Sequence, residues 1–314
     1  MAVSGNATTD TGLREGWYSR FDRRLSPYLF ILPFFIIFGV FGLATILYTG
    51  WVSLFAWNPI GKQQFIGLDN YFHLWVDPRF WTATYNTIAI WFLSTVPQLF
   101  LALGLAAVLN NALLRFKTGF RMMAIVPNVT SVVAVGIIFT SIFGRDYGLI
   151  NWLLGGVGVP RIDWESGQLT SHLAIGTMVI WRWTGYWALI FLAAMQAIPK
   201  ELFEVAAIDG ATRLRQFRSV TIPQLRATII FMVTISTIGG LQIFAEPLIW
   251  GGQLNAYSGG NSGQYLTLSI FLYAQGFQSF KFGYASSIAW VLFVIILVIA
   301  LVNLLVTRRI ASSD

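Results

Sequence analysis

The chain has 314 residues, 56% of them hydrophobic and only 11% charged, with a formal net charge of +7 and a mean hydropathy of +0.67. So few charges cannot cover a water-facing surface, which excludes an ordinary soluble domain and makes the chain an all-α polytopic membrane protein. The absence of cysteine excludes disulfides, thiolate metal sites and a Cys nucleophile.

In chain order, residues 1–26 are polar and carry Arg14, Arg20, Arg23 and Arg24. They read as a cytoplasmic tail ahead of a hydrophobic stretch too long for a signal-peptide core, so that stretch is expected to be retained. Apolar runs of the roughly 20 residues that cross a bilayer fall near 28–50, 86–109, 120–143, 172–195, 227–250 and 283–306. That predicts six transmembrane helices over 27–309, followed by a short tail at 310–314. Fourteen of the 20 Lys and Arg lie in the N-terminal tail, the second and fourth connections and the C-terminal end. These include Arg115, Lys117, Arg121, Lys200, Arg213, Arg215, Arg218, Arg226, Arg308 and Arg309. The positive-inside rule then places both termini and residues 198–225 in the cytoplasm. A nucleic-acid role loses ground, because the positive excess is spread over every cytoplasmic segment as insertion requires.

The connection from Trp51 to Tyr85 is rich in aromatics, which suits an interfacial belt or a docking surface for an external partner. Pro97 with Gln98, and Pro127 with Asn128, fall within the second and third spans and predict kinks. The connection over 144–171 is Gly-rich and then carries Asp163, Trp164 and Glu165. His73 and His172 stand far apart in the chain and form no ligand spacing. No Ser/His/Asp arrangement, metal cluster or G-x-x-x-x-G-K-[ST] loop is legible, so no catalytic, metal or ATP site is expected in this chain.

The fourth span holds Arg182, Trp183, Gly185 and Tyr186 near mid-membrane. A central Arg costs roughly 2.5–3.5 kcal/mol to insert and therefore faces a bundle interior or wet cavity with a partner. Glu246 is the acidic residue available inside a span, and with Gly239, Gly240 and Gln242 it gives the fifth span a small and polar stripe. These residues are the candidate substrate path. Arg182 and Glu246 admit two readings, a structural ion pair or direct substrate contact. Residues 251–263 read as a movable outer loop, and 265–282 as an amphipathic helix outside the membrane.

Between the fourth and fifth spans lies IPKELFEVAAIDGATRLRQFRSVTIPQL. Pro199 suits a first helical turn, with Glu201 and Glu204 near the positive end of the helix dipole. Asp209-Gly210 signals a C-cap, and a second helix is expected from Ala211 to Val220, ended by Pro223. Leu202, Phe203, Leu214 and Phe217 supply apolar knobs beside the small Ala206 and Ala207.

The spacing of Glu204, Ala206 and Gly210, followed by Val220, Ile222 and Pro223, resembles the EAA loop of membrane subunits of binding-protein-dependent ATP-binding cassette importers. With Pro199, Asp209-Gly210-Ala211 and Phe217, it is similar to the carbohydrate, maltose-type branch. Val205 departs from the usual Ala. Gly67-Leu68-Asp69-Asn70-Tyr71 resembles a short external motif of the same permeases, whereas Ile249-Trp250-Gly251-Gly252-Gln253 replaces their Thr-Gly-Gly-Pro pattern. The resemblance implies a cytoplasmic coupling helix pair made by Glu204, Ala206, Ala207, Asp209, Gly210, Ala211, Phe217 and Pro223. It also implies a second permease subunit in a heterodimer, two cytoplasmic ATPase subunits carrying ATP and magnesium, and an external solute-binding protein or lipoprotein. The setting would be a bacterial or archaeal cytoplasmic membrane and the solute a di- or oligosaccharide. A permease for another solute such as glycerol phosphate, or an ion-coupled carrier using Arg182 and Glu246, would fit the same span pattern.

Overall fold

The computed structural model describes residues 17–111, 114–252 and 256–311. Arg14 and the rest of 1–16, like 312–314, lie outside them, as do the side chains of Arg308 and Arg309. The chain divides into two units, residues 1–51 and 52–314. The first unit is helical throughout its described part: α1 (Trp17–Ile37) passes through a π-helical stretch (Phe38–Leu43) into α2 (Ala44–Val52).

In the second unit, a two-stranded antiparallel ribbon pairs β1 (Phe55–Ala56) with β2 (Gln64–Phe65), in register Phe55 opposite Phe65. α3 (Asp69–Val76) follows, and Asn70 Nδ2 donates to the carbonyls of Ser53 and Phe55, fixing the ribbon to it. α4 (Pro78–Asn110) begins eight residues before the apolar run that predicted it. Asp77 caps it, its carboxylate accepting from Arg79 N at 2.8 Å, and Pro78 takes the first turn, where no N–H is needed. Pro97 does not interrupt α4.

The third span is not one helix. α5 (Lys117–Val129) and α6 (Val132–Ile142) meet at 91°. Thr130 and Ser131 adopt extended ψ angles of 141° and 130°, so the break falls three residues after Pro127 rather than at it. At 1.5 Å per residue neither piece alone reaches across about 30 Å of hydrocarbon. The fifth span is broken as well. α12 (Arg226–Leu241) stops at Gln242, and α13 (Ala245–Trp250) restarts after Phe244. Pro247 explains the restart: a continuous helix would need its N–H, whereas the third position of a new helix leaves that group without a helical partner anyway. α8 (Gln168–Gln196) is continuous, as is the last helix, which runs Phe282–Ala311 and is named α15 here. Among the described residues, four helices are long and apolar enough to cross a membrane, and up to six segments if two bent pairs, 117–129 with 132–142 and 213–224 with 226–241, each make one span.

The 144–171 connection is more ordered than its glycines suggest. It holds α7 (Leu149–Gly156), and buried Asn151 donates to the carbonyls of Arg145 and Ile162 while its own Oδ1 accepts from Trp164 Nε1. Burial and the neighbouring Asp163 charge raise the Glu165 carboxyl above its ordinary value. In the described part of 251–263, Ala256, Gly259 and Gly260 are buried, whereas Gly252, Ser258, Asn261 and Ser262 are exposed. Tyr265 to Phe271 is not an exposed amphipathic helix either. Tyr265, Leu266, Leu268, Ile270 and Phe271 are all at most 2% exposed, and α14 (Leu268–Tyr273) passes into a π-helical turn over Ala274–Gln278.

A polar knot seats this segment on the bundle. Asn86 Nδ2 donates to the carbonyls of Gly263 and Leu266, and its Oδ1 accepts from Gln168 and faces His172 Nε2 at 3.1 Å. Leu268 N donates to Thr87 Oγ1. Buried amides that satisfy free carbonyls in this way hold non-helical backbone where water is scarce. Three apolar clusters form the core: one about Ile90, Met178 and Trp250, one about Trp187, Phe191 and Met232, and one about Leu266, Phe271 and Ile288.

Candidate functional site

The break in the fifth span opens a cavity of about 400 Å³. On α8, Val179, Trp183, Tyr186 and Trp187 stand at i, i+4, i+7 and i+8, one face of a helix. On α4, Thr95 and Gln98 stand one turn apart and line the same space. On α12, Ile235, Ser236, Gly239 and Gly240 supply a low wall, and the chain end from Gln242 through Phe244 to Glu246 closes one side. A Cβ on Gly239 would meet open space, whereas one on Gly240 would lie 2.5 Å from Trp91 Cδ1 and 3.2 Å from Thr95 Oγ1, so the smallness of Gly240 lets α4 approach. The rings of Trp183 and Tyr186 lie edge to face at 5.9 Å, and Tyr186 and Trp187 at 5.2 Å, giving one aromatic wall.

Six of the eight path residues expected from sequence therefore converge: Trp183, Tyr186, Gly239, Gly240, Gln242 and Glu246. Two do not line the space. Arg182 lies behind it, where its Nη1 donates to Glu246 Oε1 and its guanidinium carbon sits 5.8 Å from the centre of the Trp183 ring. Gly185 is buried against α5, and a Cβ placed on it would lie 1.7 Å from the Ala124 carbonyl oxygen. Its smallness serves helix approach, not a passage.

Sequence reading missed Thr95, Gln98, Ser236 and Trp187 as cavity groups. Gln98 had a legible signal, since an amide inside an apolar span is a functional candidate in its own right. Ser236 and Trp187 had none, because which face of a helix turns inward depends on its neighbours.

The Arg182–Glu246 pair joins α8 to the first turn of α13. Nearly buried ion pairs are close to neutral in net stability, but removing one partner strands a charge at a cost of about 3–5 kcal/mol. Arg182→Gln alone is expected to lower the Tm of the detergent-purified chain sharply, and the double variant R182Q/E246Q to recover most of the loss. Thermal melting checks both, and equal destabilisation by the single and double variants would rule out the pairing.

The predicted coupling residues sit apart from the cavity, on a second structure. α9 (Lys200–Ile208) ends in a two-bond Schellman cap, with Gly210 N donating to Ala207 O and Ala211 N to Ala206 O. Gly210 has φ +76°, the left-handed conformation that this cap requires. Thr212, not Ala211, caps the next helix, its hydroxyl accepting from Arg215 N, and α10 (Arg213–Gln216) starts there. Pro223 does not end the helical course. A π turn over Phe217–Thr221 widens the spiral, so Pro223 fits inside α11 (Ile222–Gln224), and the bend of 67° falls at Leu225.

Glu204, Ala207, Asp209 and Gly210 are exposed on this corner, with Ala206 and Ala211 half-buried. Leu202, Val205, Ile208 and Leu214 add exposed apolar side chains. Phe217 is not one of the knobs. It packs against the cluster of Leu225 and Met232 and anchors the corner to the bundle.

Residues 78–312 match the family described as binding-protein-dependent transport system inner membrane component. The arabinooligosaccharides transport system permease protein AraP of Bacillus subtilis is 36% identical over 301 residues, covering 95% of this chain and 93% of that protein. The lactose transport system permease protein LacF of Rhizobium radiobacter is 35% identical, with 96% and 99% covered. A crystal structure of a bacterial alginate ABC transporter, in complex with alginate pentasaccharide-bound periplasmic protein, contains a chain of the same fold. Its TM-score is 0.77 at 23% identity, covering 94% of this chain and 98% of that one. The chain belongs to the binding-protein-dependent transport system inner membrane components and is a permease subunit of an ABC importer, not an enzyme.

Proposed function

We propose that this permease forms half of the transmembrane pathway for a di- or oligosaccharide delivered by an external solute-binding protein or lipoprotein. The carrying observation is the cavity at the broken fifth span, where the rings of Trp183 and Tyr186 face amides and a carboxylate from three helices. Aromatic faces stack on the C–H faces of sugars, and amides and carboxylates bind their hydroxyls. The names of the relatives, which carry arabinooligosaccharides and lactose, support the same solute class.

A second permease subunit completes the pathway as a heterodimer, and two cytoplasmic ATPase subunits hold ATP and magnesium. Both termini and the 198–225 corner face those ATPases. Their closure pushes on Glu204, Ala206, Ala207, Asp209, Gly210 and Ala211, and the push reaches the bundle through Phe217 and Pro223. Alternating access then follows from rocking of the helices around the cavity.

The test reconstitutes the chain with its co-purifying subunits and binding protein in liposomes and follows labelled oligosaccharides. Uptake should require ATP and the binding protein, and Trp183→Ala should weaken the apparent affinity about tenfold, the effect of roughly 1.4 kcal/mol. Sugar uptake by the chain alone, without ATP, would overturn the reading.

A further inference from the structure

The two carboxylate oxygens of Glu246 have different surroundings. Oε1 accepts from Arg182, whereas Oε2 makes no hydrogen bond among the described residues and is not sealed off from the cavity that Glu246 lines. Arg182 is not part of the wall, so Glu246 is the one charged side chain among the lining residues. Gln98 lines the same space and makes no hydrogen bond to another described residue, and its amide atoms are likewise not sealed off from the cavity. Two polar groups left unbonded and open to one cavity are available to a ligand.

Resting on the sugar-import reading, we propose that this cavity selects uncharged sugars over acidic ones. Glu246 holds Arg182 through one oxygen and receives sugar hydroxyls through the other, while Gln98 supplies donors and an acceptor. A carboxylate is an acceptor only, and a sugar hydroxyl donates to it readily; an amide offers two donors and a carbonyl, which suits a neighbouring pair of hydroxyls. A uronate or sulfonated sugar would bring a second negative charge beside a carboxylate whose cation is already engaged. In a site shielded from water that repulsion is strong. The ion pair and the substrate contact are in this account two functions of the same residue, one on each oxygen.

The experiment measures binding to the purified transporter complex in lipid nanodiscs without ATP, by saturation-transfer NMR. The probes are lactose, maltotriose and arabinotriose against digalacturonate and trigalacturonate. The wild type is expected to prefer at least one neutral probe over both acidic ones about tenfold or more, roughly 1.4 kcal/mol. In R182Q/E246Q, which replaces the pair by two amides and leaves no stranded charge, that preference should largely vanish. Gln98→Ala should weaken the neutral probe about tenfold and keep the preference.

Acidic probes binding the wild type as well as neutral ones would overturn the charge selection while leaving sugar import intact. A preference unchanged in the double variant would remove Glu246 from it. Failure of every sugar to bind, with glycerol phosphate binding instead, would overturn the sugar reading itself.

Discussion

Gly210→Asp is expected to abolish transport while leaving the chain inserted in the membrane. Gly210 sits at φ +76° in the cap that turns α9 towards α10, and no heavy atom lies within 4 Å of where its Cβ would be. A side chain there therefore meets nothing in this chain. Its costs are the left-handed backbone, about 1–2 kcal/mol for most residues and less for Asp or Asn, and whatever surface lies opposite the corner. The apolar Leu202, Val205, Ile208 and Leu214 around it are exposed, so a carboxylate would be desolvated without a partner if the ATPases dock here. A penalty of several kcal/mol is ordinary for a charge stranded at an interface, and co-purification of the ATPase subunits should fall by on the order of 100-fold, about 2.7 kcal/mol. Gly210→Asn has the same shape and backbone tolerance without the charge, and should retain much of the uptake. Normal transport by Gly210→Asp would sink the coupling assignment, and equal loss in both variants would trace the defect to the backbone.

Gly185→Val is expected to prevent α8 and α5 from packing. The nearest atoms to a Cβ at this position are backbone: the Ala124 carbonyl oxygen at 1.7 Å, its carbon at 2.6 Å and Cα at 3.1 Å. Backbone of a neighbouring helix cannot swing aside as a side-chain tip does, so the helices must separate. Overpacking a core costs about 1–3 kcal/mol, occasionally more, and a clash with main chain belongs at the upper end. Size-exclusion profiles should show Gly185→Ala destabilised and Gly185→Val without a monodisperse peak. Gly155→Ala, where no heavy atom lies within 4 Å of the added methyl, serves as the control and should be unchanged or slightly stabilised, since alanine favours helix by up to about 1 kcal/mol. A Gly185→Val chain that melts like wild type would mean that this contact does not hold the helices together.

Gly185 also shows where sequence reading goes astray. In the sequence it stands between Trp183 and Tyr186 and looked like part of a path, yet helical geometry turns it to the opposite neighbour. A small residue in a span states that something comes close, not what. The coupling corner was more legible, because caps and turns are local. Asp209-Gly210 predicted the C-cap correctly, whereas the second helix starts after Thr212 rather than at Ala211 and its helical course runs past Pro223. Phe217 was the exception, read as a knob because its burial depends on Leu225 and Met232, which the local pattern does not reveal.

By itself the sequence determined the membrane class, the positions of the apolar segments and the family. Each follows from quantities summed along the chain: hydropathy over about 20 residues, charge in the connections, and a motif of fixed spacing. Only the tertiary structure decided that the third and fifth spans are broken and that residues 265–271 belong to the core. It alone showed which of the polar groups share one cavity. The reason is that a helix break inside a membrane is stable only if other segments satisfy its freed backbone or line it. That condition belongs to the neighbours of Thr130 and Gln242, which lie far away in sequence and are chosen by packing.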